Sequence, residues 1–428
     1  MRIEDPAALV ITAEVAMRIE AYGSSWGTLS LAINAPDGII GAVGVSDQDG
    51  TNFMVSRTTL KGHVLASVDS GTKNGLWYRV SRGLHDAHEW MLRVGARLPT
   101  STFAEQLPAW RQAFKDSATV VLTYSPEPEV SWAAWAVTNE FTVPLLSTVL
   151  REAATDPTAG LAPAWPKDRL SNESATVIGI GSIGSAVVHS LAMSGIGVIN
   201  LVDDDRLLWG NLVRHQSTRR DIGRYKVDSV ADTLRANWPG TKIQPYRLNV
   251  ISDADLMRPL FKNSSVVVCA TDGVAPRRVV SHLARRAHCT AILACVLLDG
   301  AIGEILRLRP WPGYGCLLCQ RARLVSDGSL DPEPALDRPY GTGDRHQPMT
   351  AVGSDLALVG QLAAKLAIAT ILESKGVYDQ RLRKEYAIIG LRPDEATRAV
   401  GAPFNVDFAE VRWLPHVAER IDCPTCVV

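Results

Sequence analysis

Three glycines, Gly179, Gly181 and Gly184, sit between the apolar run ATVIGI and a stretch of helical periodicity, Ser182 to Ser194. A G-x-G-x-x-G segment between a buried strand and a helix leaves a chain few alternatives. Glycines there permit a tight turn and let the backbone approach phosphates at the positive end of the helix. The next apolar run, GVINLVD, ends at Asp203, 19 residues beyond Gly184. A carboxylate at that place is set to accept hydrogen bonds from ribose hydroxyls. Strand and helix patterns then keep alternating. Lys226–Asn237 is helical, SVVVCAT (265–271) is a strand, Arg277–His288 is helical and TAILACVLL (290–298) is a strand. Alternation of this kind predicts an α/β domain, Rossmann-like, with a mostly parallel sheet wrapped by helices.

The first part of the chain reads differently. Residues 1–150 hold six of the eleven tryptophans, with β-prone runs at Trp26–Ile33, Ile39–Val45 and Thr119–Tyr124 and helical patterns at Ala87–Leu98 and Phe103–Lys115. That mixture predicts an α+β domain. A Pro-, Gly- and Ser-containing stretch, Thr155 to Ser174, separates the two, and loop composition of this kind marks a boundary. The expected domains are 1–165 and 166–428.

A net charge of −1 offers no basic field for nucleic acid. The first residues, MRIEDPAALVITAEV, lack the basic segment, apolar run and small-residue site of a secretory signal. The longest apolar helical pattern, Asp355–Leu372, contains Asp355, Gln361 and Lys365, which suits a buried helix better than a membrane span. The expectation is a cytoplasmic protein without nucleic-acid or membrane partners.

In such a compartment, cysteines spaced C-x-x-C are metal ligands more often than disulfides. Cys316 and Cys319 form one such pair, and Cys423 and Cys426 another. Together the four thiolates complete a tetrahedral zinc site with no open position, hence a structural one. Cys269, Cys289 and Cys295 fall in or beside predicted strands and read as inert core thiols.

Beyond Asp203 the chain carries Asp205, then Asn211-Leu-Val-Arg214-His215, then Asp221-Ile-Gly223-Arg-Tyr-Lys226, and later Ala270-Thr-Asp272-Gly. With the glycine motif and the two cysteine pairs, this ordered series closely resembles the ThiF/MoeB/HesA superfamily, bacterial relatives of ubiquitin-activating enzymes. The Asn-Leu-x-Arg-His variant and the long tail look most like activating enzymes of bacterial ubiquitination-like and antiviral defence pathways. The resemblance implies adenylation, with ATP, of the C-terminal carboxylate of a ubiquitin-like protein, transfer to a conjugating enzyme, and a homodimer. By it Asp203 holds the ribose, Asn211 orders the phosphate side, Arg214 and Lys226 contact the triphosphate, and Asp272 binds magnesium. The same elements suit a peptide or sulfur-carrier carboxylate, and a non-catalytic scaffold is a further alternative. An NAD-dependent dehydrogenase has no use for Asn211, Arg214, Lys226 and Asp272 together. The chemistry independently asks for these residue types. Both reactants are anionic, Arg offers a forked donor to phosphate, and Lys is a point charge.

The chain also departs from that pattern. No cysteine occurs from Gln320 to Met349, where many relatives place a nucleophile, although MoeB-like members adenylate without forming their own thioester. Ser326, Ser329 and Thr342 are the candidate hydroxyls there, with Asp327 and His346 as neighbouring bases. The usual arginine-rich stretch before the first strand is missing, and Arg169 is its nearest substitute. The N-terminal domain lacks a glycine-rich phosphate loop, so it is a docking module or a degenerate adenylation-like domain. His85-Asp-Ala-His88-Glu89 lacks metalloprotease spacing and reads as an exposed helix start. His215 reads as structural. Asp205 either caps the following turn or faces ligand.

Overall fold

The computed structural model describes residues 7–50, 53–60, 63–68, 73–108, 110, 119–150, 156–161, 164–329 and 351–427. They divide into two units, Met1–Ala154 and Thr155–Val428. The division falls ahead of 165/166 for a local reason. Asp156 accepts the Thr158 backbone N–H and pairs with Lys167 Nζ at 2.9 Å, which fastens this stretch to the second unit.

The first unit runs β1 (Ala8–Thr12), α1 (Ala13–Ala21), β2 (Trp26–Asn34), β3 (Ile39–Asp47), β4 (Met54–Val55), β5 (Lys73–Arg79), α2 (Arg82–Val94), β6 (Leu98–Pro99), α3 (Thr100–Ala104), β7 (Thr119–Ser125), β8 (Ser131–Val137) and β9 (Phe141–Leu150). Its sheet is ordered β1-β3-β2-β5-β7-β8-β9-β6, and a β1–β9 pairing closes it on itself. This is an α+β unit with a strand order unlike a doubly wound sheet. The helix expected at Ala87–Leu98 starts earlier, and Gly95 ends it in a left-handed conformation, φ 67°. The helix expected over Phe103–Lys115 shrinks, in its described part, to the end of α3 and a turn; residues 111–118 lie outside the described residues.

His85 and His88 correct another expectation: they are buried, not exposed. Three residues apart on α2, they share a face, and that face meets the sheet. His85 Nδ1 lies 2.6 Å from Ser131 Oγ, and its Nε2 lies 3.0 Å from Thr123 Oγ1. His88 Nε2 lies 3.0 Å from the Ala134 carbonyl. Burial lowers the His85 pKa to about 4.

The second unit runs α4 (Lys167–Leu170), β10 (Ser174–Ile178), α5 (Ser182–Met193), β11 (Val198–Val202), α6 (Lys226–Asn237), β12 (Lys242–Tyr246), α7 (Ala254–Lys262), β13 (Val266–Cys269), α8 (Val274–Arg286), β14 (Ala291–Leu297), β15 (Ile302–Leu308), α9 (Leu317–Ser326), α10 (Gly353–Ser374), β16 (Tyr386–Gly390), α11 (Glu395–Ala399) and β17 (Val411–Leu414). The sheet order is β12-β11-β10-β13-β14-β15-β16-β17. The first five strands are parallel and the last three join antiparallel. Strands such as VVVC, β13, are apolar throughout because helices cover both faces. Val187, Val230 and Ile371 of α5, α6 and α10 pack on one face. Met257, Val280 and Leu324 of α7, α8 and α9 pack on the other.

Among the described residues α10 is the one helix long and apolar enough to cross a membrane by length and composition. Most of it is buried against α5, as expected for the Asp355–Leu372 pattern. Gly360 makes the approach close: a Cβ there would lie 2.8 Å from Ala186 Cβ. The chain runs from β10 outward to β11 and β12, then returns to β13 on the other side of β10. Such a reversal opens a crevice beyond the carboxyl ends of the central strands.

Candidate active site

The crevice is a cavity of about 390 Å³, floored by the glycine turn. Gly179 has φ +84°, and a Cβ there would press on the Ala270 carbonyl oxygen at 2.8 Å. Only glycine takes that conformation without strain. A Cβ on Gly184 would collide with the Gly179 carbonyl oxygen, so α5 closes on the turn only with glycine there. A Cβ on Gly181 would meet no protein atom within 4 Å, and Gly181 lines the cavity at the start of α5. Gly184 thus serves closure, whereas Gly179 and Gly181 border the space a ligand would fill.

Asp203 follows β11. Its Oδ2 accepts the Ile180 N–H at 2.7 Å and its Oδ1 accepts the Asp205 N–H at 2.8 Å. It therefore braces the glycine turn against the next loop, and each oxygen keeps a lone pair for a further donor. Burial raises its pKa to about 6, with Lys226 pulling the other way. Asp205 lines the cavity, and its Oδ2 lies 2.7 Å from Lys226 Nζ. Burial alone would lower the Lys226 pKa; Asp203 and Asp205 more than offset it, so the net shift is upward.

The Asn-Leu-Val-Arg-His run is a wound turn. Asn211 Oδ1 accepts the Leu208 N–H at 2.9 Å, and the Asn211 carbonyl accepts the N–H groups of Arg214 and His215 at 3.1 and 2.9 Å. Asn211 thus sets Arg214 along the cavity. His215 Nδ1 accepts the Ser217 N–H at 3.1 Å, so Nε2 carries the proton and donates to the Ile180 carbonyl at 2.8 Å. Its role is to clip the glycine turn, as expected of a structural histidine. Burial lowers its pKa.

Asp272, past the end of β13, is exposed to the cavity. The surrounding walls desolvate it and raise its pKa, while Arg214 and Lys226 act against that rise. Among the described residues Arg214 makes no carboxylate ion pair. The cavity therefore gathers Gly179, Gly181, Asp203, Asp205, Asn211, Arg214, Lys226 and Asp272. Arg169 is exposed on α4 and lies outside the lining. Sequence reasoning missed Asn249, which lines the cavity and donates to Asp204 Oδ2 at 3.1 Å. It follows β12, a strand disguised by Lys242, Gln244 and Pro245; proline seldom occupies a paired strand.

This layout is an α/β domain whose crevice is lined by two cations, Arg214 and Lys226, and four carboxylates, Asp203, Asp204, Asp205 and Asp272. Residues 158–396, over half of the chain, match the ThiF family, and the chain belongs to it. It is 29% identical to the molybdopterin-synthase adenylyltransferase of Salmonella typhimurium over 167 residues, 38% of this chain and 64% of that one. It is 28% identical to the adenylyltransferase and sulfurtransferase MOCS3 of Anopheles gambiae over 250 residues, 54% of this chain and 50% of that one. The chain thus spans less than two thirds of these relatives' length. Among solved structures, Escherichia coli MccB with ATP aligns at a TM-score of 0.46 and 22% identity, over 63% of this chain and 70% of that one.

A second centre lies in the same unit. Cys316 caps α9 and Cys319 lies in its first turn. Their sulfurs are 4.0 Å apart, Cys316 lies 3.4 Å from Cys423, and Cys319 lies 3.8 Å from Cys426. All four sulfurs fall within 4.8 Å of one another. Disulfide sulfurs would be at about 2 Å, whereas thiolates at about 2.3 Å around a tetrahedral zinc stand about 3.8 Å apart. The geometry fits zinc. The Arg420 N–H donates to Cys319 Sγ at 3.3 Å, a hydrogen bond that suits a thiolate.

The remaining cysteines, Cys269, Cys289 and Cys295, are buried. Burial raises Cys269 and pushes Cys289 up to about 12. Ser326 donates to the Arg323 carbonyl at 2.8 Å, and its neighbour Asp327 pairs with Arg323 at 2.8 Å, so among the described residues no base is set against that hydroxyl. Ser329 is buried and donates to the Ala402 carbonyl. Thr342 and His346 lie outside the described residues.

Proposed function

We propose that the second unit adenylates a C-terminal carboxylate with ATP, and that the carboxylate is the tail of a ubiquitin-like protein. The observation that carries this reading is the convergence of Arg214, Lys226 and Asp272 on a cavity floored by a glycine turn. A carboxylate oxygen attacks the α-phosphorus, the bond to the bridging oxygen breaks, and its electron pair leaves with pyrophosphate. The attacking carboxylate is already ionised, so no general base is needed. Arg214 and Lys226 neutralise charge on the phosphates. Ribose hydroxyls donate to the free lone pairs of Asp203. Asp272 suits magnesium, which usually takes one or two protein carboxylates together with substrate phosphates; bound there, magnesium would neutralise the departing pyrophosphate.

A sulfur-carrier tail is the second reading, supported by relatives named adenylyltransferase and sulfurtransferase. The site chemistry is common to both. Further parts of the proposal are structural zinc at Cys316, Cys319, Cys423 and Cys426, a homodimer, hand-over to a conjugating enzyme, and a cytoplasmic setting in bacterial defence. Trp209 and Val213, exposed beside Arg214, are consistent with a covering partner; light scattering that finds a monomer at micromolar concentration counts against the dimer.

The test is ATP–pyrophosphate exchange with candidate carrier proteins. Exchange should appear only with a carrier bearing a free C-terminal carboxylate. Exchange absent with every carrier, or NAD binding without ATP binding, refutes the assignment.

A further inference from the structure

A buried ion cluster joins the cysteine centre to the cavity, and we infer that Glu304 is a positioning residue through which the first holds the phosphate end of the second. The inference rests on the cavity being the ATP site. Glu304, on β15, is fully buried. Its Oε1 accepts from Arg321 and from the Tyr386 hydroxyl, each at 2.6 Å. Its Oε2 accepts from Arg321 at 2.6 Å and from Arg277 at 2.5 Å. Burial alone would raise this carboxyl; Arg321 and Arg277 more than offset that and hold it well below the usual carboxylate range.

The two arginines belong to different helices. Arg321 lies two residues past Cys319 on α9, whose N-cap is Cys316. Arg277 lies in the first turn of α8, whose N-cap Gly273 follows Asp272 and whose Val274 and Pro276 line the cavity. A second tie runs between the same helices: the Leu317 N–H donates to Ser281 Oγ at 3.2 Å. A bidentate arginine–carboxylate pair fixes orientation as well as distance. Losing one partner leaves a buried charge uncompensated, which the structure relieves by shifting. Four thiolates closed on one ion fix the first turn of α9, hence Arg321, hence Glu304 and Arg277, hence the start of α8 beside Asp272. Coupling of this kind is reciprocal: an ion that favours nucleotide binding is itself retained more firmly when nucleotide is bound.

The experiment compares the zinc-loaded wild-type chain with Arg321→Met and Arg321→Lys. Calorimetry gives the affinity for magnesium-ATP before and after stripping by a chelator, and a chromogenic chelator gives the rate of zinc release with and without ATP. Stripping should weaken wild-type ATP affinity on the order of tenfold. Loaded R321M should be weakened to a similar degree, and stripping it should add little. ATP should slow zinc release from wild type and leave that of R321M unchanged, a readout that mere loss of stability does not produce. R321K keeps the charge with a single donor geometry and should fall between. Equal ATP affinity in wild type and R321M overturns the inference, as do losses that simply multiply. If R321M does not fold, R321K decides, and unchanged affinity there overturns it. A wild type that binds zinc but no ATP instead refutes the adenylation reading, and this inference with it.

Discussion

Lys226 Nζ lies 2.7 Å from Asp205 Oδ2, and the Asp205 carbonyl accepts the Lys226 backbone N–H at 3.0 Å. Asp205 thus holds Lys226 by both its backbone and its cation at the start of α6, with the lysine side chain 12% exposed. Phosphate oxygens reaching it must share it with Asp205. Lys226→Ala should lower exchange by roughly 10²–10³-fold, the scale for loss of one charge-stabilising donor. Lys226→Arg should not restore it, because the planar fork does not occupy the place of a point charge. Exchange within about twofold of wild type in the alanine variant rules out a phosphate contact.

The raised pKa of Asp203, about 6, makes ATP binding sensitive to acid. In the folded chain the proton is held more firmly than at the ordinary value of 3.8, so this group's contribution to stability is present at low pH and lost as pH rises through about 6. Binding needs the carboxylate free to accept from ribose, so affinity should fall as pH falls through about 6. Asp272, exposed to the cavity but desolvated by its walls, shifts in the same direction. Calorimetric ATP titrations between about pH 5 and 7.5 test this, and a flat affinity across that window contradicts it.

Much of the candidate site was legible because its chemistry is local. The Gly179 turn, the helix from Ser182 and the Lys226–Asn237 helix depend on neighbours in sequence and fall where the pattern puts them. His85 and His88 were not legible in this way. A polar DAHE stretch looks solvent-facing, and the groups that satisfy it, Thr123 and Ser131, are 38 and 46 residues away. Glu304 was hidden for the same reason. A lone glutamate in IGEILRL gives no sign of arginines arriving from α8 and α9. The closure of the first sheet through β1 and β9 is likewise a long-range pairing without a local signature.

The cysteine centre predicts a metal content. Purified untagged protein should hold about one zinc per chain, since four thiolates complete one tetrahedral site. Cys423→Ser should lose that zinc and several degrees of Tm, because a closed thiolate site contributes folding energy outright. Metal analysis with thermal denaturation checks both. A folded wild type with neither zinc nor a chelator-sensitive Tm refutes the assignment.

Asp272→Ala should abolish carrier-dependent exchange and leave the fold intact. Asp272 is exposed to the cavity and supports no described hydrogen bond or ion pair, so its loss removes a ligand group and no packing. An unchanged circular dichroism spectrum with exchange below a few per cent of wild type is the expected result. Undiminished exchange would remove magnesium from this residue.

The activated carboxylate needs an acceptor. A thioester requires an accessible thiol, and Gln320–Met349 contains no cysteine. Cys269, Cys289 and Cys295 are each less than 10% exposed, and burial raises the first two away from the nucleophilic thiolate. The other four sulfurs lie within 4.8 Å of one another and are occupied in a metal-bound state. Hydroxyls fare no better: Ser326 and Ser329 both donate to backbone carbonyls, and serine without an adjacent base is a weak nucleophile. The carboxylate should therefore stay an adenylate until a partner's nucleophile arrives. Enzyme, ATP and carrier, incubated without any partner and run on denaturing gels, should show no reductant-labile adduct. An adduct mapped to Cys269, Cys289 or Cys295 would mean that the buried strand opens during turnover. A reductant-resistant, hydroxylamine-sensitive adduct would place an oxyester on this chain, with Thr342 the first residue to substitute.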